Sequence, residues 1–142
     1  MIKVIDSEFD LFKDDPVRPH LSAKFRTTGN RKAFALMDDD GYNVRAVVCA
    51  AFTDGVATTE KELESDGNTA MFYTVWSYNK GAGREIIFDT VKWIKKEMPN
   101  VNRFVTLSPQ TNMAYRFHTR NGAEIISVND TSINYEYASV VE

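Results

Sequence analysis

Residues 70–99 constrain the fold more than any other part of the chain. Residues 70–78 are dense in aromatic and β-branched side chains, the composition of a buried central strand. They run without a spacer into Asn79-Lys80-Gly81-Ala82-Gly83-Arg84. From about residue 83 to 97 the spacing predicts a helix, with Ile87, Val91, Ile94 and Met98 on one face. Lys92, Lys95 and Lys96 lie near its C-terminal end, where the helix dipole favours cations, and Pro99 stops it. A strand that turns at once into a long amphipathic helix must fold that helix back over a sheet, which commits the chain to an α/β arrangement.

The flanking segments fit around this unit. Residues 1–5 read as a first strand and 6–13 as a helical turn, with Pro16 and Pro19 keeping the next stretch irregular. Residues 32–37 and 44–52 read as a hairpin joined by the turn signal Asp38-Asp39-Asp40-Gly41. Residues 53–68 form a polar loop with a helical turn at 59–63. Residues 101–107 read as a strand, 112–121 as a short helix closed by Gly122, and 123–128 and 132–137 as two last strands. The expectation is one α/β (α+β) domain over residues 1–142, with a mixed central sheet of about six or seven strands flanked by helices.

Composition narrows the function classes. Apolar residues make up 43% of 142, enough for a core without disulfides. The lone Cys49 sits in the apolar run Val47-Val48-Cys49-Ala50-Ala51 and reads as a buried small hydrophobe in a reducing compartment, with no metal cluster. A net charge of −3 argues against a nucleic-acid surface. No apolar run approaches the roughly 20 residues of a membrane span, and neither end of the sequence carries a targeting or lipidation signal. A cytoplasmic protein, monomer or homodimer, is expected.

The turn at residues 78–84 has a specific chemical use. A strand ends, two glycines allow a tight backbone, and a helix begins, so that free N–H groups and the positive end of the dipole point outward. Such a nest suits a pyrophosphate, with Lys80 and Arg84 adding charge. A plain glycine turn is the alternative, because a lone Gly-x-Gly is weak. The placement resembles the GNAT acyltransferases, which carry Q/R-x-x-G-x-G/A after their fourth strand to bind coenzyme A. Gly81 and Gly83 match; Tyr78 stands where Gln or Arg is usual.

The residues downstream decide the chemistry implied. GNAT acetyltransferases place an acid tyrosine in a pattern like F-Y-x-x-x-G-F. Here the run is Phe117-His118-Thr119-Arg120-Asn121-Gly122-Ala123, with His118 at the tyrosine position. Phe-His-x-x-Asn-Gly-Ala resembles the malonyl-CoA decarboxylases, whose catalytic domain has the GNAT fold. Ala51-Phe52-Thr53-Asp54-Gly55, Ala70-Met71-Phe72-Tyr73-Thr74, Thr106-Leu107-Ser108-Pro109 and Asn134-Tyr135-Glu136-Tyr137 resemble that family in the same order. The likeness spans residues 31–137. The family's helical N-terminal domain and its long insertion between the Ser-Pro and Phe-His motifs have no counterpart here.

The resemblance implies His118 as proton donor to the carbanion and Ser108 as the group orienting the carboxylate or the histidine. It implies backbone N–H groups at Tyr73, Thr74 and Val75 near the thioester, and a pyrophosphate seat at Lys80, Gly81, Ala82, Gly83 and Arg84. It implies no cofactor beyond the coenzyme A moiety and no metal. A histidine's reference pKa near 6.5 suits donation at neutral pH. Tyr115, one turn before His118, and Asn121 are candidate pocket residues, although Asn121 with Gly122 also reads as a left-handed helix end. His20 is assigned no role, and Tyr135 and Tyr137 read as core.

Each assignment has a structural alternative. His118 also fits an edge position beside an apolar stripe of Met113, Ala114 and Phe117. Ser108-Pro109 also fits a helix start, which would put His118 about 14 Å along the axis at ~1.5 Å per residue. With Asn112 as the cap the distance is about 9 Å, and residues 109–111 can fold Ser108 and His118 together. Decarboxylation of malonyl-CoA, acetyl transfer from acetyl-CoA, and acyl-CoA binding without catalysis are the functions to separate.

Overall fold

The computed structural model describes residues 1–138. Among them the strands are β1 (Ile2–Ile5), β2 (Arg31–Met37), β3 (Val44–Thr53), β4 (Thr69–Ser77), β5 (Arg103–Thr106), β6 (Glu124–Val128) and β7 (Ile133–Glu136). The helices are α1 (Ala23–Thr27), α2 (Ala82–Glu97) and α3 (Asn112–Arg120). The strands form one mixed sheet in the order β1-β2-β3-β4-β5-β7-β6. Every pairing is antiparallel except β4 with β5, which α2 joins as a crossover.

The sheet has a core on each face. Phe34, Val48, Phe72 and Phe104 pack under Ile86, Ile87, Val91 and Ile94 of α2. Cys49, Met71, Tyr73 and Val105 pack on the other face with Phe12, Leu63 and the partly buried Phe25. Cys49 is fully buried, and burial pushes its thiol up to about 12, so it stays protonated.

β4 does not alternate evenly between these cores. Cys49 pairs with Thr74 and Ala50 with Phe72, leaving Tyr73 as an extra residue. This bulge lets Phe72 and Val75 face the α2 core while Tyr73 and Trp76 face the other. On the opposite edge the parallel register runs only from Thr69–Arg103 to Phe72–Thr106, closed by Leu107 N–H donating to Phe72 O at 2.9 Å. Beyond that point the two strands part.

Several expectations shift. The first helical turn falls at Phe12–Asp14, later than residues 6–13, and the loop turn at Lys61–Glu64. Helix α1 follows the two prolines in a stretch expected to be irregular. Ser22 caps it, accepting from Phe25 N–H at 3.0 Å, but it is too short to show a periodic pattern. The strand expected over residues 101–107 is ordered as β5 only at Arg103–Thr106.

The stretch before α1 is ordered by a buried ion pair. Asp15 Oδ2 accepts from Arg26 Nη1 at 2.7 Å with both side chains fully enclosed. Asp15 Oδ1 accepts from the N–H groups of Val17 and Arg18 at 2.8 and 2.9 Å and from Thr74 Oγ1 at 2.8 Å. Nearby, Tyr78 Oη donates to Asp14 Oδ2 at 2.7 Å and accepts from Trp76 Nε1 at 3.0 Å. These bonds fasten residues 14–18 against the upper half of β4.

Candidate active site

A cavity of about 660 Å³ fills the gap where β4 and β5 part. It passes through the sheet: Phe72, Val75 and Phe117 line it from the α2 side, Pro16, Val17 and Leu107 from the other. Ser108, Thr111 and His118 supply polar groups, and among the described residues no charged one lines it.

Ser108 is placed by backbone pairing. It lies just past β5, where its N–H donates to Ile133 O at 3.0 Å and its carbonyl accepts from Ile133 N–H at 2.9 Å. Its Oγ lies 2.7 Å from Thr106 Oγ1, which also accepts from Tyr135 N–H at 3.2 Å. Ser108 therefore does not start a helix. Helix α3 begins four residues later, and its cap is Thr111, not Asn112: Thr111 Oγ1 accepts from Ala114 N–H at 3.2 Å. His118 then lies about 9 Å along the axis from Asn112, and the bend at residues 109–111 brings it onto the same cavity as Ser108.

His118 is 5% exposed and packed among rings. Phe117 and Tyr135 lie 5.0 Å away by centroid, and Nδ1 is 2.7 Å from Tyr137 Oη. The buried Tyr137 hydroxyl has no other partner among the described residues; it can donate to Nδ1 or accept from Nδ1–H, and donation is the arrangement that leaves no buried hydroxyl hydrogen unsatisfied. Donation puts the proton of the neutral ring on Nε2, for which no acceptor stands among the described residues. Burial pushes the pKa of His118 down to about 4. The expectation of a histidine titrating near its reference value is thus corrected: at neutral pH the ring is uncharged.

Helix position explains two further corrections. Tyr115 is 50% exposed and does not line the cavity, because it stands about 60° round α3 from His118, away from Phe117. Met113 is 81% exposed at the mouth, so the buried face of α3 is Ala114, Phe117 and His118. Asn121 also lies outside the cavity lining. It keeps right-handed backbone (φ −90°), and the left-handed residue is Gly122 (φ 100°). The Asn121 amide is buried, its Oδ1 accepting from Arg84 Nη1 at 3.1 Å while Nδ2 has no partner among the described residues.

The glycine turn is built as a helix start. Gly81 caps α2 with φ 84°, which favours a residue without a side chain, and a Cβ there would meet nothing within 4 Å. Asn79 O accepts from Ala82 N–H and Gly81 O from Glu85 N–H, so the N–H groups of Gly83 and Arg84 between them have no acceptor among the described residues. Of the turn, only Gly83 lines the cavity, with Phe117 against it: a Cβ would lie 2.9 Å from Phe117 Cε1. Arg84 is held away, its guanidinium on Asn121 and over the Phe88 ring at 4.4 Å. Lys80 and Gly81 are exposed, and Ala82 is buried under the helix.

Tyr73, Thr74 and Val75 all border the cavity. The Thr74 hydroxyl is committed to Asp15, and burial drives the Tyr73 phenol far above its usual range. From these residues the cavity is offered backbone, not acid–base groups. The site residue that sequence reasoning missed is Tyr137: its burial was legible in the strand pattern, its bond to His118 was not. Among the described residues no group of three His, Cys, Asp or Glu is placed to hold a metal ion, and no helix is long and apolar enough to cross a membrane.

A mixed seven-stranded sheet parted between its fourth and fifth strands beside a glycine-led helix is the GNAT acyltransferase fold. Among solved structures, a Bacillus subtilis acetyltransferase in complex with CoA is similar at TM-score 0.69 and 10% identity, over 95% of this chain and 95% of that one. Malonyl-CoA decarboxylase from Agrobacterium vitis is similar at TM-score 0.66 and 20% identity, over 82% of this chain and 35% of that one. The decarboxylase from Cupriavidus metallidurans is similar at 0.62 and 18%, over 84% and 33%. The chain thus spans about a third of the decarboxylase structures it matches. No protein-family model matches the chain, and no curated protein matches it.

Proposed function

We propose that the chain is an acyl-CoA enzyme that decarboxylates malonyl-CoA or a close relative to acetyl-CoA, or its homologue, and CO2. The observation that carries this reading is that Ser108 and His118 line one uncharged cavity beside the bulge of β4. Pyrophosphate sits at the free N–H groups of Gly83 and Arg84, and the thioester runs along the open edge of β4. Breaking the bond to the carboxyl carbon releases CO2 and sends the electron pair into the thioester, whose oxygen takes the charge. Backbone N–H groups at residues 73–75 stabilise that oxyanion. The thioester is its own electron sink, so the reaction asks for no metal or other cofactor.

His118 supplies the proton. Its low pKa in the empty site is no obstacle, because a carboxylate entering an uncharged cavity favours the charged imidazolium. Substrate entry therefore loads the proton that the carbanion consumes.

One observation favours acetyl transfer instead: the acetyltransferase from Bacillus subtilis matches this chain over nearly its whole length. Against it, no carboxylate among the described residues lines the cavity to deprotonate an amine acceptor. Mass spectrometry of malonyl-CoA and acetyl-CoA incubations, with and without amines, separates the two. Decarboxylation gives acetyl-CoA from malonyl-CoA without an acceptor, and His118→Ala lowers turnover at least tenfold. Free coenzyme A appearing only when an amine is present supports acetyl transfer. Tight binding with no turnover of either thioester reduces the protein to an acyl-CoA binder.

A further inference from the structure

Strands that part leave main-chain carbonyls to be satisfied some other way. Tyr73 has no paired residue on β3 or β5, and Leu107 lies beyond the last β4–β5 pair. One partly buried side chain serves both. Arg18 Nε donates to Tyr73 O at 2.8 Å and Nη2 to Leu107 O at 2.8 Å, so a single guanidinium spans the gap. Nη1 is held by Glu60 Oε2 at 2.8 Å, and the Arg18 side chain is 11% exposed. The main chain is clamped as well: Arg18 N–H donates to Asp15 Oδ1 at 2.9 Å, and Arg18 O accepts from Arg26 Nη2 at 2.7 Å. Pro16 and Val17, immediately before it, are cavity wall.

We propose that Arg18 is a positioning residue that holds β4 and β5 apart for the acyl-CoA by occupying the carbonyls of Tyr73 and Leu107 together. The planar fork of a guanidinium directs several donors at fixed angles, which an ammonium does not. Without it, two enclosed carbonyls lack donors, and the nearest replacements are N–H groups of the opposite strand. Taking them extends the parallel ladder past Phe72 and Thr106 into the space the ligand needs. The proposal rests on the acyl-CoA reading for its ligand, not for its geometry.

The test uses the full chain as wild type, Arg18→Lys and Arg18→Met, with coenzyme A binding by calorimetry and amide exchange by NMR. The expected result for Arg18→Met is coenzyme A binding weakened at least tenfold, with altered exchange confined to residues 73–77 and 106–108. Millimolar methylguanidinium then restores binding toward the wild-type value, and Arg18→Lys falls between. Binding by Arg18→Met within twofold of wild type overturns the proposal. So does exchange that rises across the whole sheet, or loss of folding in both variants, since either marks Arg18 as a general anchor. If wild type fails to bind coenzyme A, the acyl-CoA reading falls and the exchange pattern alone decides: a change confined to those residues supports the role of Arg18, and none overturns it.

Discussion

The Tyr137 hydroxyl lies 2.7 Å from His118 Nδ1, and that bond, between the end of the last strand and the third helix, ties the tautomer of the ring to the direction of the hydroxyl. Removing the donor while keeping the ring isolates its effect. Tyr137→Phe is expected to lower turnover by about 10- to 100-fold, less than the roughly 10²–10⁴-fold that loss of the general acid itself would cost, with the fold retained. Imidazole nitrogen shifts should show the Nε2–H tautomer in wild type and a mixture in the variant. A wild-type spectrum of the Nδ1–H tautomer would contradict the assignment.

The buried, neutral His118 makes stability depend on acidity. The unfolded chain binds a proton near pH 6.5 and the folded ring only near 4, so between these values the unfolded state holds more protons. Stability is therefore full above about 6.5 and falls as pH drops toward 4, by up to about 3 kcal/mol at 1.36 kcal/mol per unit. Urea melts at pH 7 and 4.5 measure this, and His118→Gln should flatten that part of the slope.

The two glycines of the turn should fail differently. Gly81→Ala places a side chain at φ 84° in open space, which costs about 1–2 kcal/mol of stability with little steric effect on the site. Gly83→Ala meets Phe117, whose ring packs on His118, so its cost should fall on coenzyme A affinity and turnover. Adding Phe117→Leu to Gly83→Ala should recover part of that loss, and a double-mutant cycle measures the coupling.

Asp15 holds Arg26, two backbone amides and Thr74 at once. Burial opposes its charge, but these bonds outweigh it and keep the carboxyl below its ordinary value. Asp15→Asn leaves a buried guanidinium unpaired and should destabilise by about 3–5 kcal/mol, read from chemical denaturation. Because Pro16 and Val17 depend on the same bonds, the surviving folded fraction should also show altered ligand affinity.

Much of the fold was legible along the chain. The aromatic strand, the glycine turn and the amphipathic helix are local patterns with local physical causes, and the structure places β4, Gly81 and α2 within a residue or two of those expectations. The hairpin around the Asp-rich turn follows from turn chemistry in the same way, and the last two strands stand close to where residues 123–128 and 132–137 read as strands. Helix α1 left no signal because five residues are too few for a period.

The sequence by itself determined the types of side chain available to the site and the order in which they arrive: a glycine-led helix start, a serine after a strand, a histidine on a short helix. Which of them meet was decided in three dimensions. The bulge at Tyr73, the parting of β4 from β5, the reach of Arg18 across that gap and the bond from Tyr137 to His118 join residues far apart in the chain. No local pattern encodes such contacts, because each depends on how two separately formed elements pack. The acidity of His118 belongs to the same category: burial sets it, and burial exists only once the chain has folded.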